Sequence, residues 1–282
     1  MDQFVIDMLN SIGGGVDQSI VDKLLQTPAE YSPALYDLSL RVATVAVKPI
    51  AAIVLSIVFM LELARASQKA DGDRELSVRL IGTLMVKVAL VLVAAQNADL
   101  MLKAIDEVGT SIMGGVSSVA TSTDTSGTTG LGDQMADAVR DAGWGGQAAC
   151  LVLLIIPFLA SKAAAIVFTV VVMLRFIQIY LMTAFNPLPI AFIACEETKQ
   201  MGIGYFKSYA SIVLQCVTLW LSIVFYRNLV RDVMRPGSYT EGDSLSGWIV
   251  DQFGNLLLAS ILLIGVVVIS NAIAKRWLGS EA

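Results

Sequence analysis

Four basic side chains lie inside or at the edges of long apolar runs of this chain, and they are the first candidates for chemistry: Lys48, Lys87, Lys162 and Arg175. Such a residue at the centre of a membrane-spanning helix costs about 2.5–3.5 kcal/mol, so it usually faces a bundle interior or a water-filled cavity. Lys87 is the strongest candidate because it lies near the middle of its run, one turn after Thr83 and on the same helical face. A pore or a buried acidic partner would explain Lys87. The plainer alternative is that it reaches toward the nearer interface.

A polar stripe on a later apolar helix is the second candidate. Its members follow one another at intervals of three and four residues: Ser211, Gln215, Thr218 and Ser222. Small hydroxyl residues on one face allow close helix packing and hydrogen bonds between helices, which is one explanation of the stripe. The other is the wall of an aqueous passage.

The third candidate is a break in an apolar run at Asn186-Pro187-Leu188-Pro189. Both prolines lack an amide donor and clash with the preceding turn, so a regular helix must stop here. Broken backbone at membrane depth is tolerated where protein or water satisfies the freed carbonyl groups. We therefore expect either a hinge at Asn186, Pro187 and Pro189, or a simple loop to the next helix.

Enzyme chemistry is disfavoured by what the sequence lacks. Histidine is absent, which removes imidazole general bases, Ser-His triads and imidazole metal sites. Cys150, Cys195 and Cys216 stand singly, without the spacing of a zinc or redox motif. No phosphate-binding glycine loop or zinc-protease pair can be found. We expect no catalytic, cofactor-binding or metal-binding residue.

Composition places the chain in a membrane. Hydrophobic residues make up 56% of the sequence and charged residues 15%, whereas soluble domains carry about 25% charged residues. Apolar runs of about 20 residues match the thickness of a bilayer core. We predict an all-α, polytopic transmembrane helical bundle of five spans. A sixth span would arise if the apolar run 148–194 turned back at Ser161-Lys162.

The pattern of apolar runs predicts four consecutive regions. Residues 1–40 form an extracytoplasmic or interfacial amphipathic region, and 41–98 form a first hairpin of two spans. Residues 99–147 are read as a flexible extracytoplasmic loop, because 109–132 is rich in Gly, Ser and Thr. Residues 148–282 complete the membrane bundle.

Orientation follows from the short connection between the first two spans. It carries the densest cationic cluster near any span: Arg65, Lys69, Arg74 and Arg79. The positive-inside rule places this connection in the cytoplasm. We therefore predict a multi-pass protein of the cytoplasmic (inner) membrane with its N-terminus outside.

Several motifs resemble a known family. The first span begins Val47-Lys48-Pro49-Ile50-Ala51 and ends Phe59-Met60-Leu61-Glu62-Leu63. Later, Ile179 to Ala191 contains the helix-breaking Pro-x-Pro segment, and Gly202-x-Gly204-Tyr-Phe-Lys-Ser opens the next span. This order resembles the TrbL-like polytopic inner-membrane channel subunits of conjugative type IV secretion systems, in the short form found on mobile elements of Gram-positive bacteria.

The resemblance implies a non-enzymatic subunit that helps DNA or protein to cross the membrane. It implies a homo-oligomer, a pentameric ring, that works beside other secretion-channel subunits, a cytoplasmic secretion ATPase and the lipid bilayer. It also implies transient contact with relaxase-bound single-stranded DNA. The alternatives are a secondary transporter or ion channel for small solutes, which would need inverted repeats and a midplane site, and a scaffold that only anchors other subunits.

Overall fold

The computed structural model describes residues 1–14, 18–70, 74–122, 130–234 and 244–278, and within them every regular element is helical. A π-helical turn, Ala43–Val47, joins the fourth helix to the fifth. The helices are α1 Asp2–Gly14, α2 Gln18–Leu24, α3 Pro28–Tyr31, α4 Pro33–Val42, α5 Lys48–Ala70, α6 Arg74–Gln96, α7 Ala98–Ser122, α8 Leu131–Gln134, α9 Ala136–Asp141, α10 Gly143–Phe185, α11 Pro187–Phe192, α12 Lys199–Met234 and α13 Leu245–Leu278.

Among the described residues, five helical stretches are long and apolar enough to cross a membrane, which confirms the predicted all-α polytopic bundle. They are Pro33–Gln68, Val78–Gln96, Gly143–Phe185, Lys199–Val230 and Leu245–Ser270. The alternative with six spans is wrong, because α10 continues as one helix of 43 residues through Ser161 and Lys162. Such a helix is about 64 Å long, roughly twice the thickness of a bilayer core. Only part of α10 can therefore lie in hydrocarbon.

Proline residues set several of the helix boundaries. Pro28, Pro33 and Pro187 each occupy the first turn of a helix, where the missing amide would have no partner in any case. Pro49 instead lies near the start of α5, inside a continuous apolar stretch. The π-helical turn before it, closed by the bond from the Lys48 amide to the Ala43 carbonyl, accommodates the proline without ending the helix.

The chain folds into two compact units. Unit 1 comprises Met1–Leu25, Ser111–Leu174 and Gln215–Ile273, and unit 2 comprises Gln26–Thr110, Arg175–Leu214 and Ala274–Ala282.

In unit 1, the amphipathic N-terminal helix packs its apolar face on the chain itself. Its buried side chains are Val5, Ile6, Met8, Leu9 and Ile12, and α1 lies against α8 and α9. Asn10 fixes this contact, since its Oδ1 accepts from the amides of Gly132 at 2.8 Å and Asp133 at 3.2 Å. The polar face of α1 carries acids rather than the Lys and Arg typical of an interfacial helix, which agrees with packing on protein.

Within the region 99–147, for which the sequence suggested a flexible loop, the structure contains most of α7 and the short helices α8 and α9. In α7, Leu102, Gly109 and Met113 follow helical spacing and are buried. The loop was predicted from the high content of Gly, Ser and Thr, and composition alone does not show the helical spacing of these buried residues. The remainder of the Gly/Ser/Thr tract, 123–129, lies outside the described residues.

Unit 2 holds the short helices before the first span against the end of α10. The Tyr180 hydroxyl donates to the Pro28 carbonyl at 2.8 Å, and the rings of Tyr31 and Phe176 stack with centroids 3.8 Å apart. At one end of the α5–α6 hairpin, Lys48 Nζ donates to the carbonyl of Gln96, the last residue of α6, at 3.1 Å. The Lys48 ammonium thus donates to a carbonyl at the C-terminus of α6 and lies at the negative end of the dipole of that helix.

Candidate functional site

The predicted break in the apolar run is present in unit 2, as a short helix between two long ones. α10 ends at Phe185, Asn186 is the N-cap of α11, and α12 begins at Lys199. Pro187 and Pro189 both fall in the first turn of α11, where helix amides are unpaired, so the break costs no intrahelical hydrogen bond. We call residues 186–198 the break segment.

The break segment packs along the α5–α6 hairpin. Its buried residues Ile190, Ala191, Ala194 and Cys195 form one apolar cluster with residues of α5, α6 and α7: Ala51, Leu55, Val58, Val91, Ala95 and Ala98. These partners lie within the two predicted spans or directly after the second. The break therefore lies beside the hairpin, where protein shields its backbone, as broken backbone at membrane depth requires.

A glycine allows α12 to approach the break segment closely. A Cβ atom at Gly202 would overlap Cγ1 of Ile193 and lie 2.6 Å from the carbonyl oxygen of Pro189. Backbone atoms cannot give way as a flexible side chain can, so only glycine fits at this position. Two residues on, a Cβ atom at Gly204 would meet nothing within 4 Å.

Five charged residues tie the end of the break segment to the hairpin. Arg65 Nη2 pairs with Glu197 Oε1 at 2.8 Å, and Arg65 Nη1 lies 3.5 Å from both Glu62 Oε1 and Cys195 Sγ. Glu62 Oε1 also accepts from the Glu196 amide at 3.4 Å, and Lys87 Nζ lies 4.0 Å from Glu196 Oε1. We call these five residues the ionic latch. The two loop glutamates are mostly exposed, so each pair contributes little alone.

Lys87 and Thr83 line one wall of a cleft of about 160 Å³ between α5 and α6, as their shared helical face predicts. Glu62, Arg65 and Ala66 lie on the α5 side. The Thr83 hydroxyl donates to the carbonyl of Arg79 at 2.9 Å and thus serves its own helix. Lys87 has an acidic neighbour, but Glu196 is an exposed residue of the break segment and not the buried partner considered from the sequence.

The polar stripe of α12 is divided between the units. Ser211 belongs to unit 2, and Gln215, Thr218 and Ser222 belong to unit 1. Ser211, Gln215 and Thr218 are buried and Ser222 is half-buried. The hydroxyls of Thr218 and Ser270 lie 3.0 Å apart, which joins α12 to α13. Because Ser211, Gln215 and Thr218 are buried within a single chain, helix packing explains them better than the wall of an aqueous passage.

The remaining basic candidates have separate environments. Lys162 is exposed, with Nζ 5.4 Å from the centre of the Phe158 ring, a cation–π contact within one turn. Arg175 is buried in unit 2. In the part of the chain that the structure describes, no group of His, Cys, Asp or Glu is placed to hold a metal ion. Around the break segment, the charged side chains are paired with one another across the contact with the hairpin.

Sequence reasoning placed the break and Lys87 but not the contact between them. No sequence pattern singles out Glu196 or Glu197, and Arg65 enters the sequence analysis only as part of the cationic cluster. Their pairing joins residues more than 100 positions apart, which no local pattern reveals. Gly202 is the residue that the sequence could have revealed. A glycine in the first turn of a long helix lowers the stability of that helix, so its presence indicates that a neighbouring segment packs too closely for a Cβ atom.

A family model described as TrbL/VirB6 plasmid conjugal transfer-like protein matches residues 16–187, more than half of the chain. The match includes the hairpin and the first proline of the break segment. No curated protein matches the sequence.

Proposed function

Because the chain belongs to the TrbL/VirB6 plasmid conjugal transfer-like family, and so is a multi-pass membrane subunit of a conjugal transfer (type IV secretion) machine, we propose that its break segment is the movable element of a transfer passage. In the docked state, the break segment covers the hairpin and the ionic latch is closed. In the undocked state, the segment leaves the hairpin and the freed surface becomes available to cargo. Asn186, Pro187 and Pro189 serve as the hinge.

The observation that carries this proposal is the form of the docking. The segment is joined to the hairpin by an apolar cluster, by exposed ion pairs and by one hydrogen bond from the Glu196 amide to Glu62 Oε1. The proline break ends α10 before the segment, and α12 begins after it and packs closely against it at Gly202. An exposed ion pair contributes only about 0.2–1 kcal/mol, so burial of the apolar cluster supplies most of the free energy that undocking must overcome.

We propose that several copies assemble, since five spans from one chain make a bundle too narrow for a DNA strand. The family resemblance favours a pentameric ring beside other secretion-channel subunits and a cytoplasmic ATPase. Its cargo would be relaxase-bound single-stranded DNA or protein. Lys87 and Thr83 would then face the opened cleft, whereas the α12 stripe would hold α12 against its neighbours. The chain performs no enzymatic step in this scheme.

We propose the inner membrane as its location, with residues 1–40 outside. The cationic connection between α5 and α6 would lie in the cytoplasm by the positive-inside rule. The ionic latch, which includes Arg65 at the end of the first span, would then lie toward the cytoplasmic side, near the secretion ATPase. Residues 99–147 would lie outside.

Reversing the charge of Arg65 tests the latch and the proposed function together. In a donor that lacks the chain, a wild-type copy should restore conjugal transfer. Arg65→Glu should restore it roughly two- to fivefold less well, since an exposed ion pair contributes about 0.2–1 kcal/mol. Adding Glu197→Arg should recover the loss, because the 2.8 Å pair is rebuilt with reversed charges. Transfer frequency at equal membrane abundance is the measurement.

Arg140→Glu is the matched control, because it breaks an exposed Arg–Asp pair that belongs to unit 1, whereas the break segment belongs to unit 2. Equal transfer frequencies for Arg65→Glu and Arg140→Glu would show that the ionic latch plays no part in transfer. Undiminished transfer in the donor that lacks the chain would remove the function itself.

A further inference from the structure

A carboxylate on α7 is held by a single phenol of α12. The Tyr209 hydroxyl lies 3.0 Å from Asp106 Oδ1 and 2.9 Å from Oδ2, so it donates to the carboxylate. Tyr209 is fully buried and Asp106 is half-buried. Both belong to unit 2, and α7 is not one of the five candidate spans. The pair takes no part in the ionic latch.

The two helices meet closely around this pair. Leu102, Asp106 and Gly109 follow one another on one face of α7, and a Cβ atom at Gly109 would overlap Cγ1 of Val213 on α12. Leu102, Tyr209, Val213 and Ile179 of α10 form one buried apolar cluster. The carboxylate therefore lies at the edge of a close apolar contact between the two helices.

The groups that face the pair do not compensate a negative charge. Tyr36 of α4 lies close enough to be affected by the charges of Asp106 and Asp99, and the Thr183 hydroxyl of α10 donates to the Ile179 carbonyl at 2.9 Å. On α7 itself, the neighbouring charged residues Lys103 and Glu107 are exposed. Among the described residues, neither Lys nor Arg forms an ion pair with Asp106.

Protonation therefore changes the strength of this contact. Burial raises the pKa of the Asp106 carboxyl from 3.8 to about 7, although the hydrogen bond from Tyr209 opposes that rise. A carboxyl whose pKa is higher in the folded state gives its full stabilisation below the pKa of the open chain. That stabilisation is lost as the pH rises through the folded value. The contact should be strongest near pH 4 and reach its weakest at about pH 7 and above.

We propose that Asp106 and Tyr209 form a proton-binding site that controls the contact between α7 and α12. With the proton bound, both groups are neutral, and the carboxyl is buried at low cost beside the phenol. Without it, a carboxylate with one hydrogen-bond donor remains in the contact, and the first half of α7 separates from α12 more readily. The site thus couples proton binding to the position of the helix that directly follows the first hairpin.

Amide hydrogen exchange of the full chain in nanodiscs tests the site, with rates corrected at each pH for intrinsic exchange. In the wild type, protection of residues 98–110 should fall by about tenfold per pH unit between pH 5 and 6.5, then level off above about pH 7. Asp106→Asn cannot release a proton and should remove this slope. Asp99→Asn, on the same helix, should keep it.

Tyr209→Phe provides a second measurement that does not depend on the folding of Asp106→Asn. Removing the phenol hydroxyl deletes a hydrogen bond that favours the charged carboxylate. The protection of residues 98–110 should therefore become independent of pH only at a higher pH than in the wild type. The same pH dependence in the wild type and Asp106→Asn would overturn the proposal. So would an unchanged onset in Tyr209→Phe, or a wild type with no slope.

Discussion

Replacing Gly202 with alanine is expected to displace the break segment and to lower conjugal transfer by about tenfold or more. The added Cβ would lie 2.6 Å from the Pro189 carbonyl oxygen and overlap Ile193, and overpacking of this kind costs about 1–3 kcal/mol. Either α12 or the break segment must move, because the Pro189 carbonyl is a backbone group that cannot rotate away. Transfer frequency, and the rate at which a maleimide labels Cys195 of the break segment, are the measurements.

Gly204→Ala is the control for that substitution. It makes the same chemical change two residues away, where the new Cβ meets nothing within 4 Å. Alanine also favours the helix by about 1 kcal/mol over glycine. Gly204→Ala should therefore keep wild-type transfer and wild-type labelling of Cys195. If Gly202→Ala and Gly204→Ala show the same transfer frequency and the same labelling of Cys195, the close approach of α12 to the break segment is not needed for transfer.

The second large effect is expected at Gly132, where α8 meets the N-terminal helix in unit 1. A Cβ atom there would overlap the Ile6 carbonyl oxygen and lie 2.8 Å from its carbon, both backbone atoms. Gly132→Ala should also disturb the bond from the Gly132 amide to Asn10. We expect a loss of about 1–3 kcal/mol, and release of α1. The measurement is the rate of proteolytic cleavage within residues 1–14, which should rise by tenfold or more.

Gly145→Ala is the matched variant for unit 1, since its new Cβ would meet nothing within 4 Å. It should leave cleavage of α1 unchanged. Equal cleavage in Gly132→Ala and Gly145→Ala would mean that α1 is not held by its contact with α8. The amphipathic N-terminal region would then need another surface to bury Leu9 and Ile12.

Much of the fold follows from local pattern. The apolar runs predict five spans, and the helical spacing of Val5, Leu9 and Ile12 predicts the buried face of α1. Charge placement inside a run selected Lys87, and proline chemistry selected Asn186, Pro187 and Pro189 as the break. In each case, the physical cause lies within one or two helical turns. A single sequence is enough to show it.

The parts that the sequence did not show depend on distant contacts. The first half of α7 is helical because Leu102 and Gly109 fit against Tyr209 and Val213 of another helix. The composition of the tract, taken alone, suggested a flexible loop. Likewise, the pairing of Arg65 with Glu197 and the docking of Ile190 exist only in the folded chain. These contacts turn a plain proline break into a candidate movable element.

Labelling of Cys195 during transfer tests the central claim most directly. Cys195 is a free, buried cysteine on the break segment, so a membrane-permeant maleimide can reach it only when the segment leaves the hairpin. With Cys150 and Cys216 replaced by alanine, Cys195 should be protected in resting donors and labelled many times faster in donors engaged in conjugation. Equal protection in both, while transfer proceeds at the normal frequency, would contradict a movable break segment.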